Sequence, residues 1–517
     1  RREAIRSLAS FKPTPEQVAK LLAPMIKDSN VMVRSQIIRT LEHLGKANND
    51  TIDILVSFCH PAAANNNLGG GYEINFERYL ARRALERYPT ELKAYLQSSL
   101  AAKQPDENKV WAQQALGGQT AISFAKQWKT LKKRPLDRDT LVIISDLSAD
   151  AAIQKTVNPY FANPKNARHI AKVALEHIAD AYTGAIGHPL AETAMVLIRS
   201  GKTEDIILGL KLARGYRITH LSPEFAKLLP VAKDESLKLE IIQTLSHLPK
   251  AFAKQFLSIA SDPSNSSSLR IAALSALVQA QGDSATPVVV KFLAEKPQDK
   301  PSIIAALGAT TQGNHTLVKL IDSKNITVED ISLPIAERII HLLKNNPTAK
   351  AIHQHATQRH SKQLATAVAR IPALEILAKS KPGNPTIGKA LFTGMCLSCH
   401  VVGDQGTGIG PALDGSSKRD TNHLLTAMLN PDAAAESAYI LFRTIESSGL
   451  ITEGLKTKQD KRGTSISHQG GMISYIPHRT ISQQHHVGSK SFMPAGLISS
   501  MPDATIQDLL AYIKTLK

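Results

Sequence analysis

The chain has 517 residues, 43% of them hydrophobic, 21% charged and 5% aromatic. That length exceeds one hydrophobic core and calls for two to four domains. Abundant Ala, Leu and Ile with few aromatics suits helix-on-helix packing. No run approaches the roughly 20 apolar residues needed to span a bilayer. Three cysteines, Cys59, Cys396 and Cys399, cannot build a disulfide framework.

The formal charge is +18. Residues 383–517 hold 12 Lys+Arg and 10 Asp+Glu, so nearly all of the excess lies on residues 1–382. A basic surface attracts acidic partners, which could dock there. No Lys/Arg run is long enough for a nucleic-acid arm. The excess therefore reads as solvated helix faces, and a nucleic-acid partner is not expected.

Residues 1–377 read as repeated helices. Four segments align on one basic residue: Val33-Arg34, Ala167-Arg168, Leu237-Lys238 and Leu269-Arg270. Apolar or small residues follow each basic residue at the same four offsets, as in Ile37, Thr40, Leu41 and Leu44. They form one stripe of a 3.6-residue period. Two of the helices follow capping clusters, Asp28-Ser29-Asn30 and Asp262-Pro263-Ser264-Asn265. The pattern resembles HEAT-type repeats, which implies an α-solenoid in which each helix pair buries its apolar face on its neighbours. Residues 60–75, with Asn65, Asn66, Asn67 and Gly69–Gly71, read as a loop ahead of a helix starting near Phe76. Cys59, in an apolar run, reads as a small core residue. The Pro- and Gly-bearing stretch 378–386 reads as a linker, and the composition changes after it.

Residues 387–517 carry the chemistry. Cys396-Leu397-Ser398-Cys399-His400 is C-x-x-C-H, the c-type haem attachment motif. Two thiols one helical turn apart can form thioethers to the two vinyl groups on one side of a porphyrin. His400 then projects its imidazole at the iron. A zinc site usually takes its ligands in two paired clusters, and the chain has no second Cys pair. A thioredoxin-like site would need a βαβ setting, which is absent. One covalent haem c is therefore expected. Its attachment takes place outside the cytoplasm, so the protein is expected to be periplasmic or otherwise extracytoplasmic. The chain opens at Arg1 without an initiator Met or a signal segment. It is thus expected to be a mature piece or a fragment, and whether a membrane tether precedes it stays open.

The distal ligand must come from further along. Met493, in Ser491-Phe492-Met493-Pro494-Ala495-Gly496-Leu497, is the preferred candidate, since a thioether raises the potential and suits electron transfer. Met472, His468, His478, His485 and His486 remain as alternatives. Met501 reads instead as part of a helix start, with Ser500 as cap, Pro502 in the first turn and Asp503 completing a capping box. Between about 432 and 490, four β-like runs separated by Gly and Ser read as a small inserted β-meander. They are Tyr439–Ile445, Leu450–Leu455, Thr464–Ser467 and Met472–Ile476.

These flanks resemble a class I cytochrome c. The resemblance implies that the Pro411 carbonyl, after Gly410, accepts the His400 Nδ1–H and orients the ring. It also implies that Gly388 lets the first helix approach the last one near Tyr512. Gly388, Phe392, Gly410, Pro411, Leu413, Asn430, Pro431, Ser491, Met493, Pro494, Gly496, Leu497, Asp508 and Tyr512, together with the insert, are similar to the haem-binding domain of the Pirellula/Verrucomicrobium type. That domain ends many large predicted dehydrogenases of planctomycetes, and HEAT-like repeats fit its usual order. The resemblance implies electron transfer from a dehydrogenase donor, of the quinoprotein sugar or sorbosone type, to a cytochrome acceptor. No catalytic centre for an organic substrate is visible in this chain. A solenoid binding scaffold with a redox- or gas-sensing haem is the alternative. The fold expected is mainly α: a HEAT-like solenoid, then an all-α cytochrome domain with a β insert.

Overall fold

The computed structural model describes residues 1–60, 71–116, 121–182, 185–460 and 462–517. The protein is mainly helical and divides into two compact units, Arg1–Val173 and Ala174–Lys517. Asn65, Asn66, Asn67 and Gly69 lie outside the described residues. The helix expected near Phe76 begins earlier and runs Gly71–Leu85. Its buried stripe starts at Ile74 and continues through Glu77, Leu80, Ala81 and Ala84.

The aligned basic residues lead helices Val31–Glu42, Pro164–Glu176, Glu235–Leu245 and Ser267–Gln281. The stripe residues are mostly buried, as Ile37, Leu41, Ala171, Ile241, Ala273 and Leu277 show. Leu248 is the departure, at 37% exposed. The Asn30 side chain caps the first of these helices by accepting from the Met32 N–H. Before Leu269 the cap is Ser266, one residue past the expected cluster, while Asp262 bonds Ser264. Two of the basic residues are structural. Arg34 is buried and donates to the Asp28 carbonyl and to Glu77 at 2.6 and 2.8 Å. Arg270 is buried and donates to the Ala260 carbonyl and to Glu295 at 2.9 and 2.7 Å. A buried guanidinium with several acceptors holds adjacent helix ends together and is not available to an external partner. Cys59 is fully buried, and burial pushes its thiol up to about 12.

In the stretch 378–386, residues 381–384 separate helix Ile371–Ser380 from helix Pro385–Met395. Ile371 and Leu374 pack in one core with Phe392, Leu425, Leu429, Ile506, Leu509 and Ile513. Helices Pro385–Met395, Thr421–Leu429 and Asp503–Ile513 surround that core. The last helix does not start as expected. Its N-cap is Pro502, and no side chain caps it. Arg370 secures this end from outside, donating to the Ser499 and Met501 carbonyls at 2.7 and 2.6 Å and to Asp503. The sequence around Ser500 could not show a partner 130 residues away.

The insert is a five-stranded antiparallel sheet, one strand larger than the expected meander. Strands β1 (Ile440–Glu446), β2 (Ile451–Gln459), β3 (Gly463–Ser467) and β4 (Ile473–Pro477) form the meander. Strand β5 (Ile481–Ser491) returns beside β1, giving the order β4-β3-β2-β1-β5. Its sequence, ISQQHHVGSKS, has no apolar alternation because it is a polar edge strand with no fully buried position.

The sheet is tied to helices of the same unit. The β1–β2 turn lies against the turn at Ala309–Thr311, with Thr311 N–H donating to the Gly449 carbonyl at 2.8 Å and Ile451 N–H to Ala309 at 3.0 Å. Arg217 grips both oxygens of Glu446 at 2.8 and 2.9 Å. Glu453 joins Arg443 of β1, at 2.6 Å, to Arg338. Burial pushes the Glu453 carboxyl up, but the two guanidiniums outweigh it and hold its pKa below the ordinary value.

The first and last helices of the haem region cross at Gly388. A Cβ there would lie 1.8 Å from the Asp508 carbonyl oxygen and 2.9 Å from Tyr512 Cβ. Gly388→Ala is expected to lower the stability of this region by about 3 kcal/mol, read as an earlier loss of the haem absorption on heating. An unchanged midpoint would refute the close crossing.

Candidate haem site

Helix Pro385–Met395 ends in the attachment motif. Its N-cap Asn384 accepts from Thr386 and Ile387, and Pro385 sits in its first turn. After Met395 the chain winds on in a tight turn: the His400 N–H donates to the Cys396 carbonyl at 2.8 Å. That turn places both thiols and the imidazole on one side.

The loop that follows folds back on His400. Gly410 N–H donates to the Cys399 carbonyl at 2.6 Å, and Leu413 N–H to Val401 at 2.9 Å. His400 Nδ1 lies 2.8 Å from the Pro411 carbonyl oxygen. That contact puts the proton on Nδ1 and leaves Nε2, across the ring, with its lone pair. A Cβ on Gly410 would stand 3.0 Å from both Nδ1 and Cε1, so a larger residue would crowd the ring. Burial pushes the His400 pKa down, against the Pro411 hydrogen bond, and favours the neutral, ligating form. Burial also pushes the Cys396 thiol up, to about 11.

These residues line an open cleft of about 300 Å³. Cys396, Cys399, His400, Gly410, Pro411 and Met493 all reach it, although Met493 is separated from the motif by the whole sheet. The walls are mostly apolar: Phe392, Leu413, Leu424, Met428, Phe492 and Leu497. Met472, His468, His478, His485 and His486 do not line it. Met472 is 70% exposed, His468 meets Ser474, His478 meets Thr464, and His485 stacks on His341.

Helix Thr421–Leu429 forms a further wall. Leu424, Ala427, Met428 and Pro431 line the cleft at helical spacing, and this periodicity was visible in the sequence. Arg419 and His423 stand at the same wall, and Gln469 arrives from the β3–β4 turn. That turn crosses the motif: Gly470 N–H donates to the Ser398 carbonyl at 3.0 Å, and the Thr407 hydroxyl to the same oxygen at 2.7 Å. No local sequence signal ties Gln469 or Gly470 to Ser398.

Residues 386–440 match the family model for Cytochrome c. The match spans the motif, the loop and the helical wall, and ends as the sheet begins. It implies covalent haem c, and Cys396 and Cys399 have the C-x-x-C-H spacing that such attachment needs. The residues present fit that group: two thiols and a neutral, oriented imidazole open onto one apolar cleft. The cytochrome c domain thus supports electron transfer through haem, with a redox partner. Domains of this family are usually extracytoplasmic, and no helix among the described residues is long and apolar enough to cross a membrane. No curated protein matches the chain.

The cysteines are separable by experiment. Acid–acetone extraction of the wild-type protein should leave the haem with the polypeptide, while Cys396→Ala/Cys399→Ala should release all of it. Each single variant should keep the haem through one thioether and shift the pyridine haemochrome α-band to longer wavelength. Retention by the double variant would exclude attachment at these thiols.

Proposed function

We propose that residues 387–517 form an electron-transfer module that takes single electrons from a dehydrogenase donor and passes them to a cytochrome acceptor. Cys396 and Cys399 would hold the haem by thioethers, His400 would be the proximal iron ligand and Met493 the distal one. Bound haem supplies reversible one-electron chemistry between Fe(III) and Fe(II). The observation that carries the reading is the cleft itself, where Met493 meets Cys396, Cys399 and a His400 ring oriented by Pro411.

The residues' roles follow from their chemistry. The Pro411 carbonyl fixes the His400 tautomer and raises the basicity of the imidazole. The Met493 sulfur is a soft, neutral donor that favours the reduced iron and raises the potential. The apolar walls keep water from the ligands and limit the reorganisation that a change of charge would otherwise require.

In the same proposal, residues 1–377 form a HEAT-like solenoid that spaces the haem module from its donor or docks an acidic partner. The repeated stripes and the buried Arg34 and Arg270 favour it. The haem region and the helical region are then functional divisions, with 378–386 between them, although Ile371 and Leu374 already pack in the haem-region core. In this proposal the donor would be a quinoprotein-type dehydrogenase, as the resemblance to the Pirellula/Verrucomicrobium-type domain suggests. The described residues of this chain hold no group of three or more His, Cys, Asp or Glu side chains able to bind a metal ion.

Met493→Ala should lower the reduction potential by on the order of 100 mV, since axial ligands tune haem potentials over several hundred millivolts. The ferrous variant should also bind carbon monoxide readily. A wild-type potential by redox titration would remove Met493 from the distal position.

A further inference from the structure

Strand β5 leaves the sheet just before it reaches the cleft. It pairs with β1 at His485–Arg443 and His486–Phe442, and then again at Ser491–Ile440. Between these pairings the register shifts, so residues 487–490 bulge away from β1. Gly488 turns within the bulge at a φ of 54°. A bulge re-aims the chain that follows it, and bulges gather beside functional sites.

The chain that follows is the distal loop. Ser491 N–H donates to Asp432 at 2.9 Å, Phe492 N–H to the Tyr439 carbonyl at 2.8 Å, and Met493 N–H to the Ser491 hydroxyl at 3.1 Å. Met493 is therefore held through Ser491, and Ser491 is the first residue after the bulge.

The last bulged residue, Lys490, is anchored outside the sheet. Its Nζ lies 2.7 Å from Glu337 Oε1, with the two side chains 26% and 19% exposed. Glu337 belongs to helix Leu333–Leu342. The same helix holds Glu453 of β2 through Arg338, and His341 stacks on His485 and meets Gln483 of β5. One helix thus fixes β5 on both sides of the point where it departs from β1.

We propose that the Glu337–Lys490 pair is a positioning contact for Met493. It takes up the slack of the bulge and sets how far the thioether reaches into the cleft. An isolated ion pair at a surface contributes little to stability. This one is half-buried, and it lies at the point where three residues of chain separate a fixed helix from the proposed ligand. The inference rests on the reading of Met493 as the distal ligand.

The test uses the full haem-loaded chain with Glu337→Gln, Glu337→Lys, the charge swap Glu337→Lys/Lys490→Glu, and Met493→Ala as reference. Two readouts report the thioether–iron bond: the weak red charge-transfer band of the ferric protein, and carbon monoxide affinity of the ferrous protein. Glu337→Gln and Glu337→Lys should weaken the band and raise carbon monoxide affinity about fivefold, the scale of one such pair. The swap should restore both. If Met493→Ala loses the band while the Glu337 variants match the wild type, the positioning role is wrong and the ligand stands. If the swap is as perturbed as Glu337→Lys, the pair is not the cause and the proposal falls. If Met493→Ala keeps the band, the ligand assignment fails and takes the proposal with it.

Discussion

The contact of backbone on backbone at Gly388 and Asp508 is the constraint on which the haem region depends. It brings the helix that ends in Cys396 against the helix that closes the chain, with Phe392 and Tyr512 edge to face beside it. A second close approach reinforces it, because a Cβ on Gly383 would stand 2.4 Å from the Gln507 carbonyl carbon. With the two chain ends of the region fixed, everything between them must leave and return to the same cleft. The loop from Gly403 to Leu413 does so at once and presents the Pro411 carbonyl to His400. The remainder takes a detour of some fifty residues through the sheet.

That detour explains why the insert is tied down so firmly. A free five-stranded sheet between helix Thr421–Leu429 and the distal loop would let Met493 wander relative to His400. Arg217 on Glu446, Arg338 on Glu453, and the backbone pairing of Gly449 and Ile451 with Thr311 and Ala309 attach it to the helical part of the same unit. Arg217 reaches Glu446 from a left-handed backbone with a φ of 55°, a conformation that costs a non-glycine residue roughly 1 kcal/mol or more. The ion pair it makes is mostly buried, and removing either partner would leave the other charge stranded. The insert is therefore a brace between the helical array and the haem cleft, touching the cleft at Gln469 and at Ser491–Met493.

The electrostatics agree with this division. The buried cations of the helical region, Arg34 and Arg270, bond to carbonyls and to Glu77 and Glu295, and so serve the joins between helices. The carboxylates that hold the sheet, Glu446 and Glu453, belong to the insert, and their cationic partners Arg217 and Arg338 belong to the basic helical region. Part of the helical region's positive charge thus meets its counter-charge within the chain. The cleft is apolar by contrast, and burial pushes the pKa of the imidazole at its edge down.

Local features were legible in the sequence because their causes are local. C-x-x-C-H specifies two thiols and an imidazole within one turn and needs no distant partner to be read. The helical stripes at Val33-Arg34 and Leu269-Arg270, and the buried strand β1, follow from periodicity and burial of neighbouring residues. Only the tertiary structure decided the rest. Strand β5 is polar because it is an edge, so its pairing with β1 leaves no apolar alternation to recognise. The ion pair that secures Asp503 comes from Arg370, and the seating of the sheet comes from Arg217 and Arg338, each more than 100 residues from its partner. Such contacts depend on where the chain returns in space. A sequence fixes chemistry at a spacing of three or four residues, whereas Met493 and His400 share a cleft only once the sheet has been built and fastened.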